Sequence, residues 1–168
     1  MANASESSFR VVRAESTAQF DVARALFREY AATLETGICL VGFERELTVL
    51  PEMYGAPDGT LLLAVSKADG SAFGCAGVRR TGENSAELKR VYVQAPFRNM
   101  GAGRALTLAA IEAAKSLGYA CVVLDTLNTM TAAQAMYRKL GFEERSQYQT
   151  GNAADATTPE LRYFSRAP

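Results

Sequence analysis

An α/β (α+β) fold, a mixed sheet with helices on both faces, is what this sequence predicts. Two observations carry that expectation. Three β-rich runs, Leu61 to Lys67, Phe73 to Arg80 and Glu87 to Gln94, are separated only by turn signals at Asp69-Gly70 and Thr81 to Asn84, as in an antiparallel meander. A helix, a buried-type strand and a second helix then follow, with Leu106, Ala109, Ala110, Ala113 and Leu117 striping the first and Cys121-Val-Val-Leu124 at the heart of the strand. A meander joined to a β-α-β unit requires a sheet with both kinds of pairing.

The other elements fall into place around these. Phe9 to Ala14 reads as a strand, with Val11 and Val12 β-branched. Ser16 or Thr17 can cap the next helix, in which Phe20, Ala23, Phe27, Tyr30 and Leu34 recur at helical spacing and which Gly37 is expected to end. A short helix is expected from Phe43 to Leu50, stopped by Pro51, with loop from Met53 to Thr60. Gly118 is the expected C-terminal cap of the long helix. Ala120 to Asp125 forms the following strand. Thr131 and Gln134 have the spacing of a capping box for a helix closed by Gly141. Phe142 opens another strand, Gly151 to Pro159 is loop, and Leu161 to Ser165 is the last strand. Residues 1–8 are small and polar and are expected to be a flexible terminus. Residues 9–168 then make one domain of ordinary size.

Composition removes several function classes. The chain of 168 residues carries 18 Lys plus Arg and 18 Asp plus Glu, so no bulk charge draws it to nucleic acid or an anionic membrane. Arg79, Arg80, Lys89 and Arg90 cluster in sequence, but strand alternation splits them over two faces. Cys39, Cys75 and Cys121 are far apart, form no CxxC, and are expected to be small apolar residues. Histidine is absent, which removes Ser-His and Cys-His nucleophiles and imidazole metal sites, so no metal is expected. No apolar run reaches a membrane-spanning length, and the start lacks the pattern of a signal peptide, so the cytoplasm is the expected location.

The chemistry concentrates after the third meander strand. Val91-Tyr92-Val93 is followed by Pro96, then by Arg98-Asn99-Met100-Gly101-Ala102-Gly103-Arg104 and a helix. Glycines at a strand-to-helix turn let the backbone approach a ligand, and amides at a helix N-terminus attract an anion. Arg98 and Arg104 can add charge-assisted bonds to phosphate. A GxG alone is equally a plain turn, but strand, proline, arginine, GxG and helix in that order are more specific. No Walker loop is present, and Leu106 stands where a dinucleotide fingerprint needs its third glycine.

Arg98 to Gly103, together with Tyr137-Arg138-Lys139-Leu140-Gly141-Phe142, resembles the GNAT superfamily of N-acetyltransferases, over about residues 61 to 145 and in element order throughout. The resemblance implies a GNAT-like mixed, mostly antiparallel central sheet of six to seven strands. It implies acetyl-coenzyme A as cosubstrate, with Val91, Tyr92 and Val93 along its pantetheine arm. Arg98, Asn99, Met100, Gly101, Ala102, Gly103 and Arg104 would hold its pyrophosphate, with Ala133 and Tyr137 also against it. Many members have Asn seven residues before the tyrosine, where this chain has Met130.

Two catalytic residues are expected on the same grounds. Tyr137 is placed to protonate the departing thiolate, or else packs in the core with Met136 and Leu140. Glu87, six residues before Val93, is the candidate base for the incoming ammonium, or else forms a surface ion pair with Lys89 or a neighbouring strand. Period-two geometry puts Glu87, Lys89, Val91 and Val93 on one face, unless a bulge interrupts the strand. Asp125 is expected to cap a helix or loop.

The expected activity is direct acetyl transfer to a primary amine of a small molecule or peptide, without a covalent enzyme intermediate. A non-catalytic acyl-coenzyme A sensor of the same fold is the alternative. The acceptor is expected between the N-terminal helices and the last strands, with Phe27, Tyr30, Phe43, Met53, Tyr54, Tyr148 and Tyr163 as candidate walls; the aromatics among them are equally open to being core, which is preferred for Phe27 and Tyr30. The expected partners are acetyl-coenzyme A and an amine, with a homodimer admitted.

Overall fold

The computed structural model describes residues 7–34, 40, 42–147 and 161–168. Seven strands form one sheet: β1 (Phe9–Arg13), β2 (Thr60–Ser66), β3 (Ala72–Arg80), β4 (Ser85–Val93), β5 (Cys121–Leu127), β6 (Glu143–Arg145) and β7 (Leu161–Arg166). Their spatial order is β1-β2-β3-β4-β5-β7-β6. Every neighbouring pair is antiparallel except β4 and β5. The helices are α1 (Thr17–Ala32), α2 (Phe43–Thr48), α3 (Leu50–Tyr54), α4 (Ala102–Ser116) and α5 (Thr131–Lys139). Among the described residues no helix is long and apolar enough to cross a membrane.

Alternation along β2 shows why both faces are covered. Leu61, Leu63 and Val65 face α1, α2 and α3, where Phe20, Leu26, Phe27, Leu47 and Tyr54 complete one core. Leu62 and Ala64 face the other way, toward α4, in a core that includes Leu106, Ala110 and Ile111 and extends to Tyr137 of α5. A strand buried on both sides reads as a continuous apolar run, as this one does.

Several local expectations are corrected. Ser16 does cap α1, in a reciprocal box with Gln19, but α1 stops at Ala32; Gly37 lies outside the described residues. Pro51 does not end the helical stretch. It sits in the first turn of α3, where its missing N–H costs nothing, so Met53 and Tyr54 are helical. The Thr131–Gln134 capping box does not form. The Gln134 side chain donates instead to the Leu127 and Asn128 carbonyls, closing the turn that precedes α5. Cys75 is buried and Cys121 half-buried, while Cys39 lies outside the described residues.

Candidate active site

The central feature is a wedge between the two parallel strands. β4 and β5 pair only from Ser85↔Cys121 to Glu87↔Val123. Beyond that point β5 stays paired with β7 as far as Leu127, while β4 continues alone on that side to Val93. The opening has a cavity of about 430 Å3 at its mouth and a small one of about 50 Å3 at its throat. The large cavity lies between Val91, Tyr92 and Val93 of β4, the loop that follows, and Ala132, Ala133 and Met136 of α5. The throat holds Lys89, Arg90, Asp125, Thr126 and Tyr137.

A bulge in β4 decides which side chains meet the wedge. The pairing of β3 with β4 shifts between Cys75↔Tyr92 and Gly77↔Lys89. Arg90 takes up the extra residue, with φ of 58°, a left-handed value rare for a side chain of this size. The expected shared face of Glu87, Lys89, Val91 and Val93 therefore does not exist. Glu87 belongs with the side that faces α2 and α3, while Val91 and Val93 pack toward α4 and α5. A bulge adds one residue, and one residue reverses every side chain beyond it.

The bulge is held by charge. Arg90 Nε and Nη2 donate to Glu46 Oε1 and Oε2 at 3.0 and 2.6 Å, both residues being buried. Tyr54 Oη donates to the same Glu46 at 2.6 Å. The Arg90 guanidinium lies over the Phe43 and Tyr30 rings, 5.2 and 6.0 Å from their centroids. Burial opposes ionisation of Glu46, but Arg90 overcomes it and holds the carboxyl below its ordinary pKa.

A second chain of charges crosses the throat. Lys89 Nζ donates to Asp125 Oδ1 at 2.9 Å, tying β4 to β5 where they separate. It also lies 3.7 Å from Glu87 Oε1. Burial would discharge Lys89, but the two carboxylates keep its pKa above the usual lysine value. Burial likewise works against Asp125, and Lys89 beside it brings the carboxyl below the usual range. Asp125 is therefore an ion-pair partner rather than the expected cap.

Glu87 is fully buried and bound by Arg79 through Nε at 2.8 Å and Nη2 at 2.7 Å. It lines neither cavity of the wedge. Arg79, Lys89 and Arg90 thus share one buried ionic layer, contrary to the expected split over two faces. Tyr137 does reach the throat. Burial raises its hydroxyl pKa, so the phenol keeps its proton through neutral pH.

The loop is formed as the glycines require. Asn99 and Gly101 both have positive φ, 64° and 83°, and Gly101 is the N-cap of α4 with no side chain to bond the amides of the first turn. Those amides face the large cavity with Arg98, Gly103 and Arg104 in its lining. Arg98 Nε also donates to the Val93 carbonyl at 3.0 Å, pinning the loop to the end of β4. Of the loop residues expected at a ligand, Met100 is 46% exposed and outside the lining. No carboxylate lines the large cavity, and Val91, Val93, Phe97 and Met136 give it an apolar wall. A long ligand with an anionic group at one end and a neutral arm at the other fits that arrangement.

Some lining residues were not anticipated. Tyr30, a candidate wall for which core was preferred, borders both cavities. Met130 borders both as well, its sulfur accepting from Thr126 Oγ1 at 3.5 Å. Phe27 is core as expected, and so are Phe43, Tyr54 and Tyr163, for which core and acceptor wall were both open; Tyr148 lies outside the described residues. Spacing of three and four along α5 could have revealed Ala132 and Met136, which line the cavity with Ala133.

Comparison with known proteins agrees with this architecture. Residues 23–142 match the acetyltransferase (GNAT) family. An uncharacterised N-acetyltransferase of Schizosaccharomyces pombe is 32% identical over 126 residues, 74% of this chain and 77% of that protein. Human N-acetylaspartate synthetase is 33% identical over 98 residues, 58% of this chain but 32% of that protein. Among solved structures, the PaiA N-acetyltransferase of Thermoplasma acidophilum in complex with coenzyme A has a TM-score of 0.70 at 18% identity, covering 96% of this chain and 99% of that one. The chain belongs to the GNAT family of acetyltransferases.

Proposed function

We propose that the protein is an N-acetyltransferase that takes the acetyl group of acetyl-coenzyme A and passes it directly to a primary amine of a small molecule or peptide. The observation that carries this reading is the wedge itself. Its mouth offers uncapped amides and two arginines, its wall is apolar, and its throat ends at a protonated phenol. A diphosphate suits the first, a pantetheine arm the second, and a thioester the third. The coenzyme A held by the Thermoplasma acidophilum protein, which shares the fold, supports the same donor here.

In the reaction, the amine nitrogen forms a bond to the thioester carbonyl carbon and the carbon–sulfur bond breaks. Tyr137 supplies the proton that the departing thiolate takes up, and regains one from the second N–H proton that the nitrogen gives up, through water, on becoming an amide. The amine must lose a proton before it attacks, because an alkyl ammonium is almost wholly charged near pH 7. Glu87, expected as that base from the sequence, is enclosed by Arg79 and Lys89 and has no face on the wedge. We assign it to positioning Lys89, and let the proton leave to water at the open side of the cleft. The resemblance to N-acetylaspartate synthetases makes amino acids the first acceptors to try.

Thermal shift with acetyl-coenzyme A, ATP and NAD in parallel tests the donor. Stabilisation by acetyl-coenzyme A alone supports the reading, since a ligand that binds only the folded state raises the melting temperature. Stabilisation by ATP or NAD instead contradicts it.

A further inference from the structure

The throat of the wedge is reached from both faces of the sheet. Leu88 and Leu124 pack in the core beneath α4 and α5, and Tyr137 enters from that side. Lys89 and Asp125 each stand one residue further along their strands, so they point the other way, to the side that carries α1, where Tyr30 also borders the cavity. A proton donor and a carboxylate thus meet one small cavity from opposite faces.

Among the described residues, Asp125 is the only carboxylate that lines either cavity of the wedge. The other two acids of the ionic layer, Glu46 and Glu87, line neither. Lys89 Nζ takes Asp125 Oδ1 at 2.9 Å, and no side chain among the described residues donates to Oδ2. Lys89 also divides its charge with Glu87, 3.7 Å away. Asp125 is ionised at neutral pH, because Lys89 holds its carboxyl below the usual range. An ionised carboxylate accepts at both oxygens, and here one of the two is open on the cleft.

We propose that Asp125 binds the acceptor, its Oδ2 receiving an N–H of the incoming ammonium on the side of the thioester opposite Tyr137. This assignment rests on the acetyl-transfer reading. Asp125 holds the nitrogen, and water takes the proton that the ammonium loses. The neutral amine keeps a second N–H on Oδ2, which turns its lone pair toward the thioester carbon while the sulfur leaves toward Tyr137. The acceptor is then an amine basic enough to arrive charged, an alkylamine or an α-amino group. An alcohol of the same shape brings no charge to Asp125 and is held less tightly.

The test is steady-state thiol release from acetyl-coenzyme A with ethanolamine, benzylamine, tryptamine and a set of amino acids. For each amine turned over, the matching alcohol or hydroxy acid is run as a competitive inhibitor. In the wild type, KM for the amine is expected about tenfold below Ki for its hydroxyl analogue, the scale of one hydrogen bond to a charged group. Asp125→Asn keeps the shape and an oxygen for Lys89. It is expected to raise KM for the amine about tenfold, leaving Ki for the analogue and the titrated affinity for acetyl-coenzyme A unchanged. Asp125→Glu is expected to restore the preference for the charged compound. A structural role would move all three constants together, and that result overturns the assignment. So does an unchanged KM in Asp125→Asn. Equal constants for amine and analogue in the wild type overturn it without any variant, so the test stands even if Asp125→Asn does not fold. If acetyl-coenzyme A binds and no amine is turned over, the transfer reading fails and the acceptor site falls with it.

Discussion

Arg90 and Glu46 meet in a buried two-point pair, 2.6 Å at its shorter contact, that joins α2 to the bulge in β4. The bulge turns Val91 and Val93 toward the wedge, so this pair shapes the cleft from outside it. Removing one member of a buried pair strands the other, at about 3–5 kcal/mol. Glu46→Ala is therefore expected to lower unfolding free energy by that amount in urea titrations. Any protein that still folds is expected to turn over more slowly, because Arg90 loses the contact that offsets its left-handed backbone.

The same pair gives a pH dependence with a definite sign. Glu46 and Asp125 both have folded-state pKa values below their ordinary ones. A depressed carboxylate contributes stability that is fully present above the unfolded pKa, about 4 for these groups, and lost as pH falls through the folded value. Melting temperature is expected to hold above about pH 5 and to drop steadily below pH 4. Glu46→Gln, measured over the same range, is expected to show a shallower fall.

The two loop glycines should separate conformation from access. At Gly101, with φ of 83°, any side chain meets backbone strain. At Gly103 a Cβ meets only Met136 Sδ at 3.9 Å and Val93 Cγ2 at 4.0 Å, so the folded chain admits one. Gly103→Val is expected to keep the fold and to weaken acetyl-coenzyme A binding at least tenfold, because the added methyls project into the cavity. Unchanged affinity in titration would remove the loop from the binding site.

Tyr137→Phe retains the ring that packs against Phe142 and Phe164 and removes only the hydroxyl. Turnover is expected to fall about 10²-fold or more, the scale of general acid–base steps, with melting temperature and acetyl-coenzyme A affinity nearly unchanged. Turnover near wild type would leave Tyr137 as a packing residue.

Much of this was legible in the sequence because it depends on periodicity and punctuation. The meander, the α4 stripe and the glycine loop each leave a local signature, and each stands where it was expected. The ionic layer was legible only in part: a Glu87 pair with Lys89 or a neighbouring strand was expected, but at the surface and without Glu46 or Asp125. Glu46, Glu87 and Asp125 lie on three separate elements, and only the folded sheet brings them to Arg90, Arg79 and Lys89. The face of Glu87 could not be read either, since one bulge residue at Arg90 inverts the alternation and nothing in a basic side chain advertises positive φ. Pro51 shows a similar ambiguity: the same residue ends one helix or begins the next, and only the position of Leu50 decides.

Direct transfer from a donor bound in the β4–β5 wedge is tested by thiol release from acetyl-coenzyme A across a panel of primary amines, amino acids included. At least one amine is expected to release thiol in equal amount to its acetylated product. Gly103→Val and Tyr137→Phe are expected to suppress that release, and intact mass is expected to show no acetyl group left on the protein. Tight binding of acetyl-coenzyme A with no thiol released by any amine would contradict transfer and leave a sensor of the same fold. An acetylated protein intermediate would contradict the direct route.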